Sequence, residues 1–223
     1  MHGSVVNGEV TWNAQRPLAE RFRLVVPNRR GFPPGPPVER VDFEDEAVWL
    51  EGLLEPGTHL VGHSYGGVVA LLAAARRPEL VGSLTVVEPP AFSVARGNPA
   101  VEAYLAHAAT IAGGPETYLR AFLASVGARQ PAAMTPALLQ GARTLMVERP
   151  PWEAEIPFER LAGIPALVVG GGHSAAFDAV CHVLVARLGA EGAVLRGAGH
   201  SPQRLGAPFN ERLAAFVMKQ NGG

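Results

Sequence analysis

The sequence predicts an α/β fold in which a mostly parallel sheet is flanked by helices. Short apolar runs alternate with stretches of helical spacing, as expected where helices join parallel strands. One apolar run leads through the turn Gly62-His63-Ser64-Tyr65-Gly66 directly into a helix of small residues. A further stretch, residues 89–163, contains no convincing strand. We therefore expect one domain of 223 residues that carries a helical insertion.

The first part of the chain predicts three strands, over residues 22–26, 58–61 and 84–87. Residues 42–54 have helical spacing and begin with acidic side chains, which are favoured at a helix N-terminus. Residues 65–77 are small and apolar, which indicates a buried helix, and Pro78 ends it.

The second part of the chain predicts a helical cap and then a return to the sheet. Helices are expected over residues 99–111, 115–126 and 136–147, with a short one before Ile164, and prolines lie near several of their starts. A strand over 166–169, a helix over 174–188, a strand over 193–196 and a helix over 205–219 follow. Residues 1–88 and 164–223 should form the core, and 89–163 a cap inserted before the penultimate strand.

Composition excludes several classes of protein. Formal net charge is −1 with no block of like charges, which argues against a nucleic-acid partner. Cys181 is the single cysteine, so no disulfide can form within the chain and no cysteine-based metal site can be assembled. No metal ligand is assigned among the other residues. No apolar run approaches the ~20 residues of a membrane span, and no signal-peptide pattern begins the chain. We expect a cytoplasmic protein without a membrane partner.

Ser64 is the candidate nucleophile. A strand enters the turn, a helix leaves it, and glycines at 62, 66 and 67 allow the sharp, strained geometry that exposes a serine hydroxyl. A serine needs a base to remove its proton. His200, in Gly197-Ala198-Gly199-His200, lies between the last predicted strand and the last helix, where a loop could bring it to Ser64.

The acid that would orient His200 is less well defined, because residues 170–174, after the strand ending at Val169, contain no carboxylate. Glu88 ends the preceding strand and is the favoured candidate. Asp178, in the first turn of the next helix, is the alternative, and the absence of any acid is the third reading.

The oxyanion formed in acyl transfer requires N–H donors already in position. The N–H of Tyr65, directly after the candidate nucleophile, is one. The second is expected from the loop His2-Gly3-Ser4-Val5, through the N–H of Ser4 or Val5.

With these residues in place, the chain resembles the α/β-hydrolase superfamily over essentially its whole length, and most of all small bacterial esterase-like members with a helical cap. The matching segments are His2-Gly3-Ser4, Asn28-Arg29-Arg30-Gly31-Phe32, Gly62-His63-Ser64-Tyr65-Gly66-Gly67 and Gly197-Ala198-Gly199-His200. The resemblance implies a serine triad, an oxyanion hole, a cap that shapes the substrate pocket and no cofactor. It also implies a structural role for the Arg-Gly pair at 30–31.

The start of the chain departs from this pattern. In the family the His-Gly loop follows a strand that lies between the strands predicted here at 22–26 and 58–61, and no residues precede Met1 to form it. We hypothesise that N-terminal strands are missing, because Met1 is an internal methionine or the chain is a fragment. A lost N-terminus could also have carried a signal peptide.

These features predict a serine hydrolase that cleaves a small, apolar, ester-like or lactone-like substrate through an acyl-enzyme on Ser64. Carbon–carbon bond hydrolysis or perhydrolysis by the same triad is the second hypothesis, since fold and triad would be shared. A catalytically inactive binding protein is the third. The substrate, the pathway and the oligomeric state do not follow from the sequence.

Overall fold

A computed structural model describes residues 1–221. Within them, four parallel strands form one sheet in the order β1 (Thr58–His63), β2 (Val81–Val87), β3 (Ala166–Gly170) and β4 (Glu191–Val194). The predicted mostly parallel sheet is therefore confirmed. His63 lies opposite Val87, which in turn lies opposite Val169. The residues that follow these strands consequently emerge at one edge of the sheet, where parallel α/β proteins place their sites.

Helices cover both faces of this sheet, because alternate residues of each central strand point to opposite sides. Val86 and Val168 pack with α3 (Tyr65–Arg76), α2 (Phe43–Glu51) and α8 (Ala175–Leu188), whereas Val87 and Val169 pack with α9 (Ala207–Asn221). The inner part of α3 is buried almost all round, as its small residues predict. A short helix, α1 (Gly8–Thr11), lies near the start of the chain.

Four helices lie between β2 and β3, as predicted for residues 89–163. They are α4 (Pro99–Ala108), α5 (Pro115–Ser125), α6 (Pro136–Met146) and α7 (Phe158–Leu161). The first three begin with proline at a position where the missing N–H removes no helical bond. The division of the chain into a core and a separate cap stays a prediction.

The strand predicted over residues 22–26 is wrong. The segment is not part of the sheet, and Leu24, Val25 and Val26 are 39%, 62% and 44% exposed. A strand requires a hydrogen-bonded neighbour. Here a groove of about 700 Å³ separates the segment from β1, and no described residue fills it with a strand.

Met1 occupies the end of this groove next to the site. Its amino group donates to the carbonyl of Val61, and its carbonyl accepts from the N–H of His63 at 3.0 Å. In a parallel sheet one residue makes two such hydrogen bonds to alternate residues of the neighbouring strand, so Met1 pairs with β1 in parallel. Burial lowers the pKa of the Met1 amino group to about 5, with a further contribution from Arg29. The hypothesis of missing N-terminal strands stays a prediction.

The last elements differ slightly from expectation. The strand predicted at 193–196 is β4, which begins two residues earlier, and the final helix begins at Ala207 after a 3₁₀ turn (Pro202–Leu205). β4 is an edge strand in which partly buried and exposed residues alternate. Its sequence is therefore less apolar than that of a central strand. Among the helices of residues 1–221, none is long and apolar enough to cross a membrane.

Candidate active site

Ser64 lies in the turn between β1 and α3. Its φ of 54° is in the left-handed region, which is costly for a residue with a side chain and presents the side chain away from the turn. Its N–H donates to the Val87 carbonyl at 2.9 Å, which ties the turn to β2. A Cβ on Gly66 would lie 2.2 Å from the His2 carbonyl oxygen, so only glycine fits there.

His200 joins Ser64 to Glu88. The His200 Nε2 atom lies 2.9 Å from Ser64 Oγ, and its Nδ1 atom lies 3.2 Å from a carboxylate oxygen of Glu88. All three residues are buried. The ring of His63 donates to the His200 carbonyl at 2.8 Å and so fixes the loop that carries His200.

Burial sets the protonation of this group of side chains. It lowers the pKa of His200 to about 3, with a smaller contribution from His173. It raises the pKa of Glu88 to about 7, opposed by the hydrogen bond from the Gly171 N–H. At neutral pH His200 is therefore a free base, the form in which an imidazole can accept a proton.

The two candidate acids are placed differently. Glu88 follows β2, and the Gly171 N–H, which follows β3, donates to its second oxygen at 2.5 Å. Asp178 is exposed in the first turn of α8. Among residues 1–221, no hydrogen bond or ion pair joins Asp178 to His200. The structure thus brings Glu88, and not Asp178, into contact with the imidazole.

The loop predicted to hold the oxyanion lies beside Ser64. A Cβ on Gly3 would be 2.8 Å from Ser64 Cβ, and Val5 has a left-handed φ of 78°. In the described part of the chain, the N–H groups of Ser4, Val5 and Tyr65 donate to no protein acceptor. Three N–H donors of this loop and the adjacent turn are therefore free to bind an oxygen of a ligand.

A buried ion-pair network that the sequence did not reveal supports this loop. The Arg29 guanidinium pairs with Glu46 at 2.8 Å and Glu148 at 2.7 Å, and lies 4.1 Å from the centre of the Tyr65 ring. Burial alone would lower the pKa of Arg29, but the two carboxylates raise it. Glu148 also accepts a hydrogen bond from Ser4, so the network joins the insertion to the loop.

His173 is a second residue missed by sequence reasoning. Its Nδ1 atom lies 3.5 Å from Glu88, and its ring packs against Phe177 and His200. In the sequence, the only indication of a role for His173 is its position in the glycine-rich stretch 170–174, where the family pattern leads one to expect a carboxylate.

Comparison with known proteins defines the class to which this fold and site belong. Residues 1–215 match the alpha/beta hydrolase family. The chain is 34% identical over 157 residues to a pimeloyl-[acyl-carrier protein] methyl ester esterase of Methylococcus capsulatus. That alignment covers 69% of this chain and 59% of the relative, so the chain spans less than two thirds of the relative's length.

Solved structures share the fold. A thermophilic esterase from Thermogutta terrifontis has a TM-score of 0.72 at 21% identity, with coverage of 98% of this chain and 88% of the esterase. MenH from S. aureus has a TM-score of 0.73 at 14% identity, with coverage of 100% and 93%. The family match over residues 1–215 and the relative at 34% identity show that the chain belongs to the alpha/beta hydrolase family.

Proposed function

We propose that this protein is a serine hydrolase that cleaves a small ester-like or lactone-like substrate through an acyl-enzyme on Ser64. The observation that carries the proposal is the continuous chain of contacts from Ser64 Oγ through both nitrogens of His200 to Glu88, with distances of 2.9 Å and 3.2 Å. A nucleophile, a base and an orienting acid in that order are the requirement for acyl transfer by serine.

The chemistry follows from the positions of the atoms. Ser64 Oγ attacks the substrate carbonyl while its proton passes to His200 Nε2, and the Glu88 carboxylate stabilises the resulting imidazolium. The N–H groups of Tyr65 and of Ser4 or Val5 stabilise the oxyanion. His200 then donates the proton to the leaving alcohol. Water, activated in the same way, releases the acid from Ser64.

The side chains around His200 favour an apolar acyl group. Phe177 lies with its ring centre 4.6 Å from that of His200, and it packs at 5.0 Å against Phe92 and at 5.5 Å against Tyr104. This largely buried aromatic cluster joins the insertion to the base, so the side of His200 that faces the insertion is apolar. The name of the curated relative makes a methyl ester of an aliphatic acid a sensible first substrate.

A survey of p-nitrophenyl esters of increasing chain length, together with methyl esters, tests the proposal. Ser64→Ala, His200→Ala and Glu88→Ala should each lower kcat by about 10³-fold or more. Asp178→Ala serves as the matched acid control and should keep most of the activity. Loss of turnover in Asp178→Ala but not in Glu88→Ala would overturn the assignment of the acid. A folded protein that hydrolyses none of these esters would favour the carbon–carbon, perhydrolase or binding alternatives.

A further inference from the structure

His173, the second histidine beside Glu88, takes no part in the proposed ester hydrolysis. Both ring nitrogens of His173 are shielded from solvent, and neither makes a hydrogen bond to any residue in the described range. A buried polar atom without a hydrogen bond is destabilising, because nothing compensates the loss of its hydration. The apolar ring of a phenylalanine would fill the same space, next to Phe177, without that cost. Nδ1 has only the 3.5 Å contact with Glu88 and Nε2 has no partner among the described residues, which points to a ligand.

The neighbours of His173 supply the rest of a coordination sphere. One ligand atom from each of Glu88, His173 and His200 can be chosen so that all three lie within 4.8 Å of one another. The Glu88 oxygen is 3.2 Å from His200 Nδ1 and 3.5 Å from His173 Nδ1. Two ligands of a tetrahedral Zn²⁺ at the usual bond length of about 2.1 Å are separated by about 3.4 Å.

We infer that Glu88, His173 and His200 form an inhibitory site for a divalent cation of the zinc type. Two imidazoles and one carboxylate suit Zn²⁺, whereas Mg²⁺ prefers oxygen ligands alone. His173 is the most exposed of the three, with 15% of its side chain accessible, so the ion would approach from its side. Water would complete the tetrahedron.

Inhibition follows from the tautomer of His200. With Nδ1 bound to the metal, the proton that Nδ1 carries in the free protein must lie on Nε2 for the imidazole to stay neutral. A proton on Nε2 faces Ser64 Oγ across the 2.9 Å contact and prevents that nitrogen from accepting the serine proton. Glu88, bound to the same ion, is also no longer free to stabilise an imidazolium at His200.

Crystals of the wild-type protein soaked in ZnCl₂ test the site without any assay of activity. Anomalous scattering at the zinc edge should give one peak within bonding distance of Glu88, His173 and His200. A peak bound by Glu88 and His200 without His173, or no peak there, would overturn the inference. Calorimetry with Ser64→Ala, which keeps all three ligands, should give one Zn²⁺ per chain.

Inhibition by zinc rests on the proposed function, because it requires that the protein hydrolyse an ester. Zn²⁺ should slow ester hydrolysis and Mg²⁺ should not. His173→Asn should weaken zinc inhibition at least tenfold, with each protein measured against its own metal-free rate. His182→Asn, an exposed histidine of α8, is the matched control and should be as sensitive as the wild type. Equal sensitivity of the two variants would overturn the inference. If the protein hydrolyses no ester, the crystal and calorimetric measurements still decide the metal site.

Discussion

Glu88 should make the folded protein less stable as the pH rises, although catalysis depends on it. Burial raises the pKa of its carboxyl from 4.5 to about 7 in the folded protein. Each tenfold difference in proton affinity is worth about 1.4 kcal/mol, so the difference corresponds to about 3 kcal/mol. Between pH 4.5 and 7 the unfolded chain loses this proton and the folded chain keeps it. The free energy of unfolding therefore falls over that range, and the cost is complete above pH 7.

Glu88→Gln removes the charge and should remove the cost. The side-chain amide can still accept the hydrogen bond from the Gly171 N–H through its oxygen. In urea unfolding we expect the variant to be more stable than the wild type by up to about 3 kcal/mol at pH 8, and equal to it at pH 4. Its hydrolytic activity should nevertheless be lost, because an amide N–H next to His200 Nδ1 favours the wrong tautomer.

Glu211→Gln provides the control for this prediction, because it makes the same chemical change at an exposed position of α9. We expect its stability to follow that of the wild type at both pH values. If the free energy of unfolding of Glu88→Gln at pH 8 were no greater than that of the wild type, the claim would be refuted that burying the ionised Glu88 carboxylate destabilises the folded protein.

Three further perturbations test the packing around the site. Gly141→Ala should destabilise the fold by about 2 kcal/mol and lower kcat, because the added Cβ would lie 1.9 Å from the Val5 carbonyl oxygen; equal melting temperatures of variant and wild type would contradict this. Glu148→Gln should cost about 3 kcal/mol in chemical denaturation, since it leaves the buried charge of Arg29 with one partner; a change below 0.5 kcal/mol would show that the network is not needed. Adding five alternating valine and leucine residues before Met1 should raise the melting temperature by the equivalent of about 2 kcal/mol, because they can fill the groove beside β1, whereas a Gly-Ser extension of equal length should not.

The order of helices and strands could be predicted largely because its signals are local. The turn from β1 to α3 carries its own glycines and small residues, and the prolines of the insertion mark helix starts directly. The segment 22–26 is strand-like in composition, but a strand also requires a neighbouring strand with which to form hydrogen bonds. No described residue pairs with this segment in a sheet. The β-propensity of residues 22–26 does not indicate whether such a neighbouring strand is present.

The contacts of the site depended on long-range packing. The choice between Glu88 and Asp178 is made by the register of β2 and β3, which brings Glu88 beside Gly171, and no local pattern encodes that register. Arg29 and Glu148 are 119 positions apart, so their ion pair could not be read from either neighbourhood. His173 follows β3 in a glycine-rich stretch, and nothing in that local sequence indicates that its ring lies 3.5 Å from Glu88.

Covalent labelling of Ser64 tests the central claim most directly. Reaction with a fluorophosphonate, followed by mass spectrometry of the intact protein and of its peptides, should give one adduct, located on Ser64. The adduct should vanish in Ser64→Ala and persist in Ser174→Ala, a control serine whose side chain makes no capping hydrogen bond. A folded protein that stays unlabelled, or that is labelled equally well after Ser64→Ala, would contradict the account.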